Sequence, residues 1–226
     1  MIDIQASDAL RAAPRGWTLG LLEVEGLQPR SGSGALDAEA SRVEESLKAR
    51  FGGMNRRAIA RTEPARFYDA HFGAAGRAYP VILQAEAVAS KGRRIEMPDP
   101  LVRAMFAAEL EGMLLCSGQD LAALDRSVSV DLASGLETMQ TFGGPEKTPP
   151  AGDLVIRDAL GIVASVLLGP DERTSLRSST SEALFTIYAP PSIREEEIRA
   201  QLARLEVLAR LACAGARAGA RRIMRL

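Results

Sequence analysis

The spacing of apolar and polar residues along this chain changes character partway through, and the change separates a helical half from a strand-rich half. Residues 17–27 form a nearly continuous apolar run that predicts a long strand, preceded by a short helical turn ended by Pro14 and Gly16. Arg30-Ser31-Gly32-Ser33-Gly34 then reads as a flexible loop. Leu36, Val43, Leu47 and Phe51 recur at helical intervals on one face, with Gly52 and Gly53 placed to stop the helix, and such a helix is expected to cover a sheet. Two shorter helices are expected at 64–72 and 80–90, where Pro64 and Pro80 suit a first helical turn and Gly92 follows the second. A further helix is expected at 100–116, with Leu101, Met105, Leu110, Met113 and Leu114 in one stripe and Gly118 at its end.

From Ser127 the pattern turns to period two or short apolar runs. Five strands are predicted, around Val128 and Val130, then at 137–142, 154–156, 162–168 and 184–188, separated by breaks rich in glycine, proline and aspartate. Pro190-Pro191 ends the last strand, and Ser192 with Glu195 reads as a capping box for a long helix carrying Ile198, Leu202, Leu205 and Leu208. The stretch 214–222, rich in alanine, glycine and arginine, is expected to fray. Strands that follow a helical segment imply α+β layering rather than a doubly wound parallel sheet.

Composition narrows the classes. In 226 residues, 46% are hydrophobic and 25% charged, which fits one globular domain with a continuous core. No apolar stretch approaches the roughly 18 residues of a membrane span, and Met1-Ile2-Asp3-Ile4 lacks the basic and apolar regions of an export signal. Cys116 and Cys213, the two cysteines, fall in predicted apolar helix faces and read as buried free thiols suited to a reducing cytoplasm. The net charge of −1 offers no global field for a polyanion, so RNA contact must come from a local patch or pocket; aromatic residues, at 4%, are too sparse for a stacking platform along single strands.

Most enzyme chemistries lack a starting point. His71 is the single histidine, which leaves a triad or a histidine-rich metal site with one member, so it reads first as a surface or packing residue, and no metal is expected. Fingerprints for zinc proteases, nucleotide binding and α/β-hydrolases are absent. Glu109, Glu111, Asp120, Asp131 and Glu137 are available carboxylates, with Asp120 read chiefly as the N-cap of a short turn. Three basic segments stand out: Arg56, Arg57, Arg61 and Arg66; Lys91, Arg93 and Arg94; and Arg217, Arg221, Arg222 and Arg225. Each could grip phosphate, and each is also ordinary solvated surface.

Several segments in order resemble one known family. Gly118-Gln119-Asp120-Leu121-Ala122-Ala123-Leu124-Asp125 is similar to a Gly-Gln-Pro-x-His-Ala-Phe-Asp pattern, Gly135-Leu136-Glu137-Thr138 to a Gly-Glu turn, and Phe142-Gly143-Gly144 to a Leu-Asp-Gly turn. Asp153 to Asp158 and then Gly161 to Gly169 resemble an Ala-Gly-x-x-Gly-Gly strand and the segment before it, with Thr180 and 184–193 completing the order. The family is the B3/B4 editing region of the bacterial phenylalanyl-tRNA synthetase β-subunit, and the Tyr188-Ala189-Pro190-Pro191 ending looks like a bacterial branch of stand-alone B3/B4 proteins.

The resemblance implies a single domain with an N-terminal strand and helices (1–79), a best-matching core (80–193), and a C-terminal helix with a basic tail (194–226). It implies a layered ββα sandwich with a long C-terminal helix, whose pocket accepts the 3′ aminoacyl-adenosine end of tRNA and hydrolyses a mischarged ester in trans, without a cofactor or catalytic metal. Positions matched to that pocket are Glu111, Gln119, Asp120, Glu137, Thr138, Ser165 and Thr186, while Arg56, Arg57, Arg93 and Arg94 of the basic segments are the candidate RNA contacts. The chain departs from the family at Leu110 and Glu111 (Thr-Asn), Ala122 (His), Ser165 (Gly), Leu168 (Gly) and Thr186 (Glu), which implies a different or smaller acyl group. No catalytic residue is assigned. The competing expectation is a non-catalytic ligand-binding or protein-interaction domain on the same scaffold.

Overall fold

The computed structural model describes residues 2–12, 16–28, 33–125 and 127–226. Pro14, expected to end the short helical turn, and positions 30–32 of the expected flexible loop lie outside the described residues. In chain order come β1 (Ile4–Ala6), α1 (Asp8–Ala12), β2 (Thr18–Glu25), α2 (Gly34–Phe51), α3 (Arg56–Ile59), α4 (Ala65–Ala74), α5 (Pro80–Lys91) and α6 (Pro100–Gly112). The second half holds β3 (Cys116–Asp120), β4 (Val128–Leu132), β5 (Met139–Gln140), β6 (Glu146–Lys147), β7 (Leu154–Asp158), β8 (Gly161–Ser165), β9 (Gly169–Pro170), β10 (Glu182–Ala189), α7 (Glu195–Ala212) and β11 (Arg217–Arg225).

Two sheets result, ordered β1-β4-β7-β8-β9 and β11-β2-β10-β3, with β5 and β6 forming a separate ribbon. Pairing is antiparallel except between β1 and β4. Strand alternation sends Gly20, Phe185 and Ile187 toward the helices, where a Cβ on Gly20 would lie 2.5 Å from Ile198 Cγ2 of α7. The opposite face of that sheet carries Leu21, Leu184, Thr186 and Tyr188 toward the first sheet, and Arg222 Nη1 donates to the Ile4 carbonyl of β1 across the gap (3.1 Å). The architecture is therefore α+β in three layers: helices, sheet, sheet. One continuous core runs through all of them, including Leu22, Leu47, Ala107, Val130, Ile156, Phe185 and Leu205.

Local signals explain most helices. Ser33 Oγ accepts from Leu36 N at the start of α2, which buries Leu36, Ala40, Val43, Leu47 and Phe51. Asp99 caps α6 by accepting from Leu101 N (2.8 Å), and Gly92 closes α5 in the left-handed region (φ 67°).

Several expectations fail for identifiable reasons. The helix expected to reach Cys116 stops at Gly112, because Met113 turns into the left-handed region (φ 55°) and the chain becomes β3. Gly118 is thus no helix stop but the middle of a strand; a Cβ there would sit 2.6 Å from Leu176 Cδ1 and 3.1 Å from Met105 Sδ. The strand expected at 137–142 shrinks to Met139–Gln140, and that expected at 162–168 ends at Ser165, where Leu168 N donates to Ser165 Oγ and bends the chain (2.9 Å). The N-cap of α7 is Arg194, whose N donates to Glu197 (2.9 Å), and not Ser192 with Glu195, since Ser192 still lies in a turn with φ 89°. The segment expected to fray is most of β11, held along β2 from Arg217↔Glu25 to Arg225↔Thr18.

Candidate functional site

The residues singled out by the resemblance fall in separate places. Gln119 and Thr186 share the inner face of the helix-covered sheet, in a fully enclosed polar strip. There Gln119 Nε2 donates to Ser117 Oγ (3.0 Å), and Ser117 Oγ lies 2.9 Å from the Tyr188 hydroxyl, whose pKa burial pushes upward. Asp120, at the end of β3, caps the turn that follows by accepting from Ala122 N (3.0 Å), and its other oxygen accepts from Thr180 Oγ1 (2.7 Å).

Glu137 and Thr138 lie in the connection between β4 and β5. Hydrogen bonds from Ser134, and then from Arg157 Nη2 (2.6 Å), hold the Glu137 carboxyl down to about 2. Ser165 pairs with Val155, whose side chain packs with Ala133, Met139 and Ile162 in a second, smaller core. That places Ser165 on the face of its sheet turned away from Thr186, so the two do not form one wall. Ser165 Oγ donates to Asp153, which is 2% exposed; burial raises the Asp153 carboxyl to about 6, and its Oδ1 finds no hydrogen-bond partner among the described residues.

Glu111 belongs to the helical layer. It is paired with Arg42 (2.5 Å) and Arg204 (2.6 Å) beside a cavity of about 460 Å³ that also includes Arg50 and Gln201. Arg56 and Arg57 begin α3 and lie against α5, where Arg56 reaches Glu86 (3.4 Å). Ser90 Oγ donates to the Met54 carbonyl (3.4 Å), so the segment carrying Arg93 and Arg94 meets the one carrying Arg56 and Arg57. Arg94 is 3.7 Å from both Glu44 and Glu96.

A different constellation was not anticipated. Trp17 immediately precedes β2; Arg66, Phe67, Ala70 and His71 project from one side of α4; Pro190 and Pro191 follow β10. Together they line a cavity of about 530 Å³. Positions 66, 67, 70 and 71 share a face because they are separated by one, four and five residues. The Tyr68 hydroxyl ties α4 to β10 by donating to the Tyr188 carbonyl (2.8 Å), and Leu226 N fixes Trp17 from the other side by donating to its carbonyl (2.8 Å).

Within the wall, the His71 ring meets Trp17 edge-on at 4.9 Å, and the Arg66 guanidinium lies 4.5 Å above the Phe67 ring while also reaching Glu63. Burial lowers the His71 pKa, which keeps the imidazole neutral at pH 7, and its Nε2 is buried with no hydrogen-bond partner among the described residues. The sequence held three quiet signals for this place: its single tryptophan, its single histidine, and Pro190-Pro191. Nothing in one dimension joined them. Among the described residues, no cluster of three or more His, Cys, Asp or Glu could hold a metal ion, and no helix is long and apolar enough to cross a membrane.

No protein-family model matches the chain, and no curated protein matches it. Among solved structures, the chain is similar to an N-terminal fragment of the phenylalanyl-tRNA synthetase beta-subunit from Pyrococcus horikoshii, with 9% identity, a TM-score of 0.47, and coverage of 95% of this chain and 49% of that one. The likeness is one of fold, and the chain spans about half the length of that fragment.

Proposed function

We propose that this domain binds the unpaired 3′ end of tRNA, with the terminal nucleotide in the cavity between Trp17, Phe67 and His71. The observation that carries the reading is the wall itself. Two aromatic rings, a neutral imidazole and an arginine meet in one cavity, in a chain whose aromatic content is only 4%. A base can stack on such rings, at about 1–3 kcal/mol per base, while a guanidinium meets the adjoining phosphate. With a net charge of −1, recognition has to be local in this way. The ordered resemblance to the B3/B4 segments supports tRNA as the source of that end.

The reading is one of binding rather than ester hydrolysis. His71 is the only wall residue suited to proton transfer near neutral pH, and no nucleophile lies beside it in the wall. Glu111, Glu137 and Ser165, matched by sequence to an editing pocket, are engaged in an ion-pair network, an acidic turn and a sealed Asp153 contact respectively.

Trp17 is the sole tryptophan, so its fluorescence reports on the cavity directly. Titration with deacylated tRNA at low salt is expected to quench it. Removal of the terminal adenosine, or Phe67→Ala, is expected to weaken binding roughly 5- to 100-fold. Equal responses to intact and truncated tRNA would reject the assignment, and rapid loss of label from misacylated tRNA would replace it with an editing one.

A further inference from the structure

The cavity beside Trp17 is rich in donors and short of acceptors. Trp17 and Arg66 bring side chains that only donate, and among the described residues that line the cavity His71 alone has a side chain able to accept a hydrogen bond. A neutral imidazole carries one N–H and one lone pair, and the surroundings of each nitrogen decide which holds which.

The two nitrogens of His71 sit in different surroundings. Nε2 is sealed from solvent with no hydrogen-bond partner among the described residues, while Trp17 meets the ring at 4.9 Å and 72° and Phe72 meets it at 5.9 Å and 84°. A lone pair sealed there would go unmet, whereas an N–H finds aromatic rings that accept it weakly. The proton therefore belongs on Nε2. Nδ1 is not among the sealed atoms and makes no hydrogen bond among the described residues, on a half-buried ring that lines the cavity. It is left as an acceptor open to a ligand.

A histidine that served packing alone would make the same contacts with Trp17 and Phe72, and solvent would satisfy its outer nitrogen. A ligand changes that balance, because it displaces solvent from Nδ1 and must put a donor there or lose affinity. Stacking fixes which part of a nucleotide arrives. A base parallel to the indole stands at the same steep angle to the imidazole, so it cannot also stack on His71 and meets it through an edge. The donor on such an edge is an exocyclic amino group, as in adenine.

We propose that His71 Nδ1 accepts a hydrogen bond from the exocyclic amino group of the base lying against Trp17, with the 6-amino group of adenine as the fitting donor. The assignment rests on the stacking reading given above and adds the group that tells one base from another.

The test compares tRNA ending in adenosine with the same tRNA ending in purine riboside, which stacks alike but carries hydrogen in place of the amino group. Binding is followed by Trp17 fluorescence in the full chain at neutral pH. Adenosine is expected to bind about 3- to 10-fold tighter, the worth of one neutral hydrogen bond. His71→Phe, which keeps a flat ring in the wall, is expected to erase the preference by weakening adenosine to the level of purine riboside. Comparing two RNAs within each protein removes any change that the substitution makes to the fluorescence itself. The first comparison needs no variant, so it stands even if His71→Phe lowers the melting temperature. Equal binding of the two RNAs by the unmodified protein, or a preference for adenosine that survives in His71→Phe, overturns the role of His71 and leaves the stacking site standing. No response to either RNA overturns both. A terminal 2′-deoxyadenosine separates base from ribose: if it binds as weakly to the unmodified protein as adenosine does to His71→Phe, a ribose hydroxyl is the donor and the assignment to the amino group falls.

Discussion

Asp153→Asn should stabilise this protein near neutral pH and leave it nearly unaffected in acid. The carboxyl is 2% exposed, accepts from Ser165 Oγ and weakly from Leu167 N (3.4 Å), and leaves Oδ1 without a partner. Burial outweighs those bonds and the nearby Arg77 cation, raising the folded-state pKa from 3.8 to about 6. At 1.36 kcal/mol per pKa unit, keeping Asp153 ionised in the folded state costs about 3 kcal/mol at pH 7.5. Because the folded state holds this proton more tightly than the unfolded chain does, the benefit is complete below about pH 4 and disappears as pH rises through 6. Asparagine keeps the shape and the Ser165 bond without the charge. Urea unfolding of both proteins between pH 4 and 7.5 is the assay. The stability difference in favour of the variant should grow by about 2.5 kcal/mol across that range. Taking the difference cancels carboxyls of opposite behaviour, such as Glu137. Parallel curves would show that Asp153 titrates as it does in the unfolded chain, and a difference of opposite sign would show an unseen cationic partner; either result refutes the reasoning.

Glu137, held down to about 2, should behave in the contrary sense: its contribution is present above its ordinary value of 4.5 and is lost as pH falls toward 2, so Glu137→Gln should flatten the acid limb of a pH-melting profile. Gly20→Ala places a methyl 2.5 Å from Ile198 Cγ2 between β2 and α7, and urea unfolding should show a loss of about 1–3 kcal/mol from overpacking, whereas a neutral effect would mean that α7 yields freely. Cys116 and Cys213 are both buried, and burial pushes the Cys116 thiol well up, so a thiol reagent at pH 8 should label neither until the protein unfolds. Rapid labelling of the native protein would contradict the packing around β3.

Features governed by neighbours along the chain were legible from the residues alone. The apolar face of α2 from Leu36 to Phe51, the proline start of α5, the Asp120 cap, and the short apolar runs that make β7 and β10 all depend on residues only a few positions apart. Periodicity and capping record just such short-range physics, and with them the α+β class. Where elements ended proved less readable, since β8 is ended at Ser165 by a bond from Leu168 and α6 at Met113 by a left-handed turn that no glycine announced.

Long-range partners settled the rest. The arginine-rich 217–225 stretch has neither the composition nor the alternation of a strand, yet the exposed edge of β2 offered unmet backbone donors and acceptors that it could satisfy. Ser165 and Thr186 look like members of one pocket when aligned to a family pattern, but strand pairing turns their side chains to opposite sides of different sheets. Trp17, His71 and Pro190 lie far apart in the chain and meet because Tyr68 fastens α4 to β10 while Leu226 returns to Trp17. A binding surface of that kind is a property of packing, in which residues distant in sequence acquire a shared neighbour only after the core has closed.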